Sequence, residues 1–216
     1  MLSRVNGLRV RTAPWVVLLG TLAHGCAYVS STMTLTPMMT PPPAPQFKPT
    51  VEQTVGDFAY TVGDRKMITS NVQGMQLNTD ILGSWKQSGY IADERYVQNG
   101  AFTRGADYDV TLNGSQYGES HIVMQVLSYL TLFLVPYSVT QNYDLQYAVQ
   151  DGASWQLYRA SVQTTETIYV ELFLLFALPW SVRNHDANVA LIGDYLYEQL
   201  RDQSAFQKPG ENANHR

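Results

Sequence analysis

Polar and apolar residues alternate most regularly in the middle of the chain. Tyr108, Val110 and Leu112 interleave with Asp107, Asp109, Thr111 and Asn113, and Tyr143, Leu145, Tyr147 and Val149 with Asp144, Gln146, Ala148 and Gln150. A period of two puts each set on its own face of a strand. Asp151-Gly152 then supplies turn residues and Trp155–Val162 returns, which predicts an antiparallel hairpin with one buried face. The polar stretch Gln163–Thr167 is expected to lengthen the returning strand, and Phe58–Val62 predicts a shorter strand nearer the N-terminus.

Helical spacing appears twice. Ile68, Val72, Met75, Leu77, Ile81, Leu82 and Trp85 recur at intervals near 3.6, with Gly89 as the stop; Gly74 and Gly83 interrupt the pattern. Val189, Ile192, Leu196 and Leu200, with Tyr195, line one face of a C-terminal helix. Asn188, Asp194, Glu198 and Arg201 line the other, with Asn184 or Asp186 as the expected cap. Strands followed by helices predict an α+β domain over 51–206: an antiparallel or mixed sheet with packed helices, and a loose tail at 207–216.

Two runs break the alternation. Ile122–Pro136 and Val170–Trp180 are almost wholly apolar, and Leu132–Val139 matches Leu175–Val182: an apolar run, proline, an aromatic, serine and valine. Each is shorter than the roughly 20 residues of a spanning helix. They read either as buried core closed by the prolines, or as paired segments forming an exposed surface for a leaflet or a partner. In the second reading Tyr129, Phe133, Val135, Tyr137, Phe173, Phe176 and Trp180 are the contact residues, the tyrosines and tryptophan having apolar bodies and polar tips.

Ser30–Thr50 holds six of the ten prolines, which excludes helix and central strand and predicts an extended tether. Before it, Arg4, Arg9 and Arg11 precede the uncharged apolar stretch Ala13–Ala23, and Leu22-Ala23-His24-Gly25-Cys26 contains the chain's sole cysteine. This segment resembles the lipobox of bacterial, Gram-negative lipoproteins, with His24 departing from the usual small residue. The resemblance implies a signal peptide at 1–25, cleavage between Gly25 and Cys26, and acylation of Cys26, whose several acyl chains would anchor stably. Residues 26–50 then form the lipidated tether. By resemblance to Gram-negative sorting signals, Ala27 in place of aspartate implies the periplasmic face of the outer membrane.

Composition narrows the partners. Hydrophobic residues make up 45% and charged residues 15%, so a folded core is expected. The leader holds three arginines and no acid, so 11 basic residues face 18 acidic ones in the remainder, a net −7. That charge argues against nucleic acid, whose binding rests on neutralising phosphates. An envelope protein or a glycan is the expected partner class beside the membrane itself, with exposed tyrosines among the 14 as contacts.

Chemistry-bearing residues are sparse. Asp107 and Asp109 share one strand face without an evident third metal ligand, and Glu119-Ser120-His121 sets a hydroxyl beside an imidazole. His185-Asp186 reads as helix-start chemistry, Gly114–Gly118 lacks the nucleophile-elbow spacing, and Gly63-Asp64-Arg65-Lys66 is not a phosphate loop. The expectation is a non-enzymatic binding or assembly component without a cofactor apart from lipid on Cys26. A glycan or peptidoglycan module is the second reading, and an envelope hydrolase using His121, Asp107, Asp109 and Glu119 the third.

Overall fold

In the computed structural model the described residues are 30–97, 103, 105–120, 122–131, 137–170 and 178–207. Their elements are β1 (Ser30–Met33), β2 (Thr50–Val62), β3 (Arg65–Lys66), α1 (Ser70–Gln87), β4 (Asp93–Tyr96), β5 (Tyr108–Ser120), α2 (Ile122–Leu130), β6 (Tyr137–Asp151), β7 (Leu157–Val170) and α3 (Leu178–Asp202). The seven strands form one mixed sheet in the order β1-β7-β6-β5-β2-β3, with β4 also pairing β2. This is the expected α+β class.

The predicted hairpin is β6–β7, in register at Leu145↔Val162 and Tyr147↔Ala160. Its turn is tied by Asp151, whose Oδ1 accepts from the Ala153 and Ser154 amides at 2.7 and 3.1 Å. Alternation decides the buried face: Val110, Leu112, Leu145, Tyr147, Val149, Tyr158, Ala160 and Val162 all point into one core. α1 and α3 cover that face.

β2 exceeds the strand expected at Phe58–Val62. Its first half reads polar yet is central, parallel to both β5 and β4. Glu52, Gln53 and Thr54 are buried there, and Glu52 is held by Arg95 and by the Thr103 amide and hydroxyl. A bulge between Val55 and Phe58 follows, where the Asp57 amide donates to Asn113 Oδ1 at 3.0 Å.

α1 runs unbroken through Gly74 and Gly83. Gly74 is needed for close approach to the sheet, since a Cβ there would lie 2.8 Å from the Phe58 ring. The buried stripe is Gly74, Asn78, Ile81, Leu82 and Trp85; Ile68 precedes the helix, and it and Val72 are exposed. On α3 the predicted Val189, Ile192, Leu196 and Leu200 are buried, whereas Tyr195 lies off that stripe and donates to the Thr36 carbonyl at 2.9 Å. Gln199 and Gln203 each donate to and accept from the open edge of β7, at Ser161 and Arg159. These amides satisfy backbone groups that β1 is too short to reach.

The segment expected as a free tether is laid on the domain. β1 is an edge strand on β7, the Thr34 amide donates to the Thr165 carbonyl, and Met33 and Leu35 pack against the core. Pro42 and Pro49 are buried, and the Pro49 carbonyl accepts from the Ala92 amide at 2.8 Å. The prolines exclude helix and central strand as anticipated, but an edge strand and a surface strap remain open to them.

Three substitutions probe this packing by urea denaturation. Leu145→Ala, at a fully buried site, should cost about 2–5 kcal/mol. Gly114→Ala should cost more than about 1 kcal/mol, because Gly114 has φ 122° and a Cβ would stand 2.0 Å from the Asp144 carbonyl oxygen. Gly83→Ala, with open space around it, should instead stabilise by about 0.5–1 kcal/mol.

Candidate functional site at one end of the sheet

Register brings four strand termini to one end. Ser120, the last residue of β5, faces Val139; Tyr137, the first of β6, faces Val170, the last of β7; Ser30, the first of β1, faces Tyr169. One apolar run links β5 to β6 and the other leaves β7, so both attach at this end. Of the anticipated contact residues, Tyr129 is exposed on α2, Tyr137 is half-buried, and Trp180 lies in the first turn of α3. Phe133, Val135, Phe173, Phe176, Gly25 and Cys26 lie outside the described residues.

α2 is inside out for a helix on a water-soluble domain. Val123, Met124, Val126, Leu127, Tyr129 and Leu130 are all exposed, Val123 and Leu130 by 78% and 77%. Ser128 is fully buried, its hydroxyl without a hydrogen-bond partner, and Gln125 is half-buried. A surface helix normally does the reverse, turning its apolar stripe to the core. No charged residue occurs in its sequence.

A polar cluster lies beside this end. Glu166 on β7 is buried, and Asn188 Nδ2 donates to its Oε1 at 2.9 Å and to Ser31 Oγ at 2.8 Å. The Tyr143 hydroxyl lies 3.1 Å from Glu166 Oε2 and 2.5 Å from Gln141 Oε1, and His185 Nδ1 stands 3.6 Å from Glu166 Oε1. Burial alone would raise the Glu166 pKa, but the His185 imidazole at ion-pair distance and the hydrogen bond from Asn188 outweigh it and hold the carboxyl below its ordinary range. The same carboxylate raises the His185 pKa against its desolvation, with smaller help from Asp186 and Asp80. The cluster knots β1, β6, β7 and α3 together.

The sequence matches no protein-family model and no characterised protein. The chain is similar to a PelC dodecamer subunit from Paraburkholderia phytofirmans, at 11% identity over 82% of this chain and 99% of that one, with a TM-score of 0.33. It is similar to a DUF330 protein from Xanthomonas campestris (10% identity, 81% and 98% covered, TM-score 0.35). Lipoprotein GNA1162 from Neisseria meningitidis is a third (16%, 68% and 99%, 0.30). Likeness at this level assigns no function.

The described catalytic candidates are not brought together. Asp107 Oδ2 accepts from the Thr50 amide and hydroxyl at 2.7 and 2.8 Å, a structural use. Asp109 and Glu119 sit near opposite ends of β5, ten residues and roughly 33 Å apart at strand rise. His121 lies outside the described residues, and no group of three metal-binding side chains occurs among those described. His185 is not at a helix start. α3 begins at Leu178 with Pro179 in its first turn, where proline is tolerated, which leaves Asn184 and Asp186 inside the helix. The importance of Glu166 was not anticipated, although the alternation of Tyr158, Ala160, Val162 and Thr164 carried forward places it on the buried face.

The Glu166–His185 pair makes stability depend on pH in two limbs. Its contribution is present between the two folded pKa values. It is lost as pH falls through the depressed Glu166 pKa, and again as pH rises through the raised His185 pKa. His185→Gln should therefore cost more at pH 6 than at pH 9, by roughly 0.5–1 kcal/mol for a partly screened pair, measured by urea denaturation at both pH values. Equal cost at both would remove the charge interaction.

Proposed function

We propose that this protein is a lipid-anchored component of the bacterial cell envelope, held by acyl chains on Cys26 at the periplasmic face of the outer membrane. Its domain serves as a non-enzymatic binding or assembly element. The observation that carries the reading is the position of the sole cysteine, behind a basic and apolar leader and four residues before β1. Because β1 is hydrogen-bonded into the sheet, an anchor there would hold the domain directly instead of through a long free spacer.

A glycan-binding role has one observation in its favour. The sheet face opposite the helices carries a shallow polar depression lined by Ser115, Tyr117, Asn142, Asp144, Gln163 and Thr165. Amides, hydroxyls and an aromatic edge suit sugar hydroxyls. Pull-down on purified peptidoglycan tests it: retention above a control protein, reduced by Asn142→Ala with Gln163→Ala, is the expected outcome, and equal retention ends this second reading.

The anchor has its own test. Cys26→Ser should accumulate as unprocessed precursor and incorporate no labelled palmitate. Cleavage of that variant to the wild-type mature length would show an ordinary signal peptidase at work and overturn the lipoprotein assignment.

A further inference from the structure

We propose that the exposed apolar face of α2 lies in the same lipid leaflet as the acyl chains on Cys26, as a second, non-covalent foot; this rests on the lipid-anchor reading above. Three observations meet here. First, α2 presents Val123, Val126, Leu127 and Leu130 to the outside while burying the Ser128 hydroxyl. This inversion is unfavourable in water and suits a hydrocarbon neighbour. Second, the helix has nine residues and is about 13 Å long, too short to cross the roughly 30 Å hydrocarbon core, so it lies along the surface. Tyr129 has the amphipathic body found at that depth.

The third observation selects lipid over a protein partner. The chain enters the described domain at Ser30, at the same end of the sheet from which α2 departs. Cys26 lies four residue steps before Ser30, a reach of at most about 14 Å. β1 and β5 are three strand spacings apart, also about 14 Å. Cys26 would therefore stay within roughly 28 Å of the end of β5 from which α2 departs, and a bilayer that takes up its acyl chains would face this end of the sheet. A free 25-residue spacer would impose no such geometry; the pairing of Ser30–Met33 with β7 does.

The test uses mature protein purified from membranes and reconstituted in phosphatidylethanolamine–phosphatidylglycerol vesicles. Acylation of Cys26 is verified by intact mass. It also blocks the sole native thiol, so Leu127→Cys and, at the opposite hairpin turn, Ser154→Cys can each take one nitroxide. At position 127 collisions with oxygen, which concentrates in hydrocarbon, should exceed those with a water-soluble nickel chelate several-fold, and at 154 the order should reverse. Nickel accessibility at 127 equal to that at 154 would place α2 in water and overturn the proposal. Shielding of 127 from both reagents would mean that a second copy of the chain covers it, and would equally overturn it. A wild-type mass without acyl chains would bring down the anchor reading and this inference with it, whereas a water-exposed 127 on an acylated chain brings down the inference alone.

Discussion

The close crossing of α1 and α3 sets the geometry on which the other features depend. At the crossing the Trp85 indole donates to the Gly193 carbonyl at 2.8 Å. A Cβ on residue 193 would stand 2.7 Å from Ser84 Oγ and 3.1 Å from the indole nitrogen, so glycine is what lets the helices meet. Tyr147, Tyr197 and Phe206 pack around Trp85 with ring centroids 5.7–5.8 Å away, and Tyr90 stacks on Tyr197 at 3.9 Å. Polar tips are satisfied inside this cluster: Tyr147 donates to Asn78, and Asn78 to the Thr54 carbonyl. With α3 so placed, Gln199 and Gln203 reach the edge of β7, and Asn188 reaches Glu166 and Ser31. β1, paired with β7 and bonded to α3 through Ser31, is held from both the sheet and the helix layer.

The sequence expressed clearly those elements whose faces differ in solvation. β6 and β7 are long, lie inside the sheet and bury one face, so period-two alternation is nearly pure. The same holds for Val189, Ile192, Leu196 and Leu200 on α3. The first half of β2 is hidden because its polar residues are buried, Glu52 held there by Arg95 and Thr103, and hydropathy does not see the partner. The start of α3 was placed too late because Asn184 and Asp186 are good caps in isolation, while Pro179 marks the true first turn. In residues 30–50 the proline content points to a spacer. Proline forbids a central strand but says nothing against lying on a surface, and the contacts of Thr34, Thr36 and Pro49 are specified by distant residues.

The candidate site was legible to a similar extent. The two matched apolar runs pointed to a shared place in the fold, and strand register attaches both to one end of the sheet. What the sequence did not disclose was the inversion of α2, because a run such as Ile-Val-Met-Gln-Val-Leu-Ser-Tyr-Leu looks equally suited to a core. Nor did it disclose the union of Glu166, His185, Asn188 and Ser31, whose members come from three separate elements.

β6 has a consequence beyond packing. Its fifteen residues span roughly 50 Å, about the full height of the sheet, and its turn exposes Trp155 and Leu157 at the end away from α2. If the proposed anchor on Cys26 holds the other end, the sheet becomes a standoff of defined length. With hydrogen-bonded sheet in place of a flexible linker between the proposed anchor and this turn, a partner at Trp155 would have to come to a set height above the membrane.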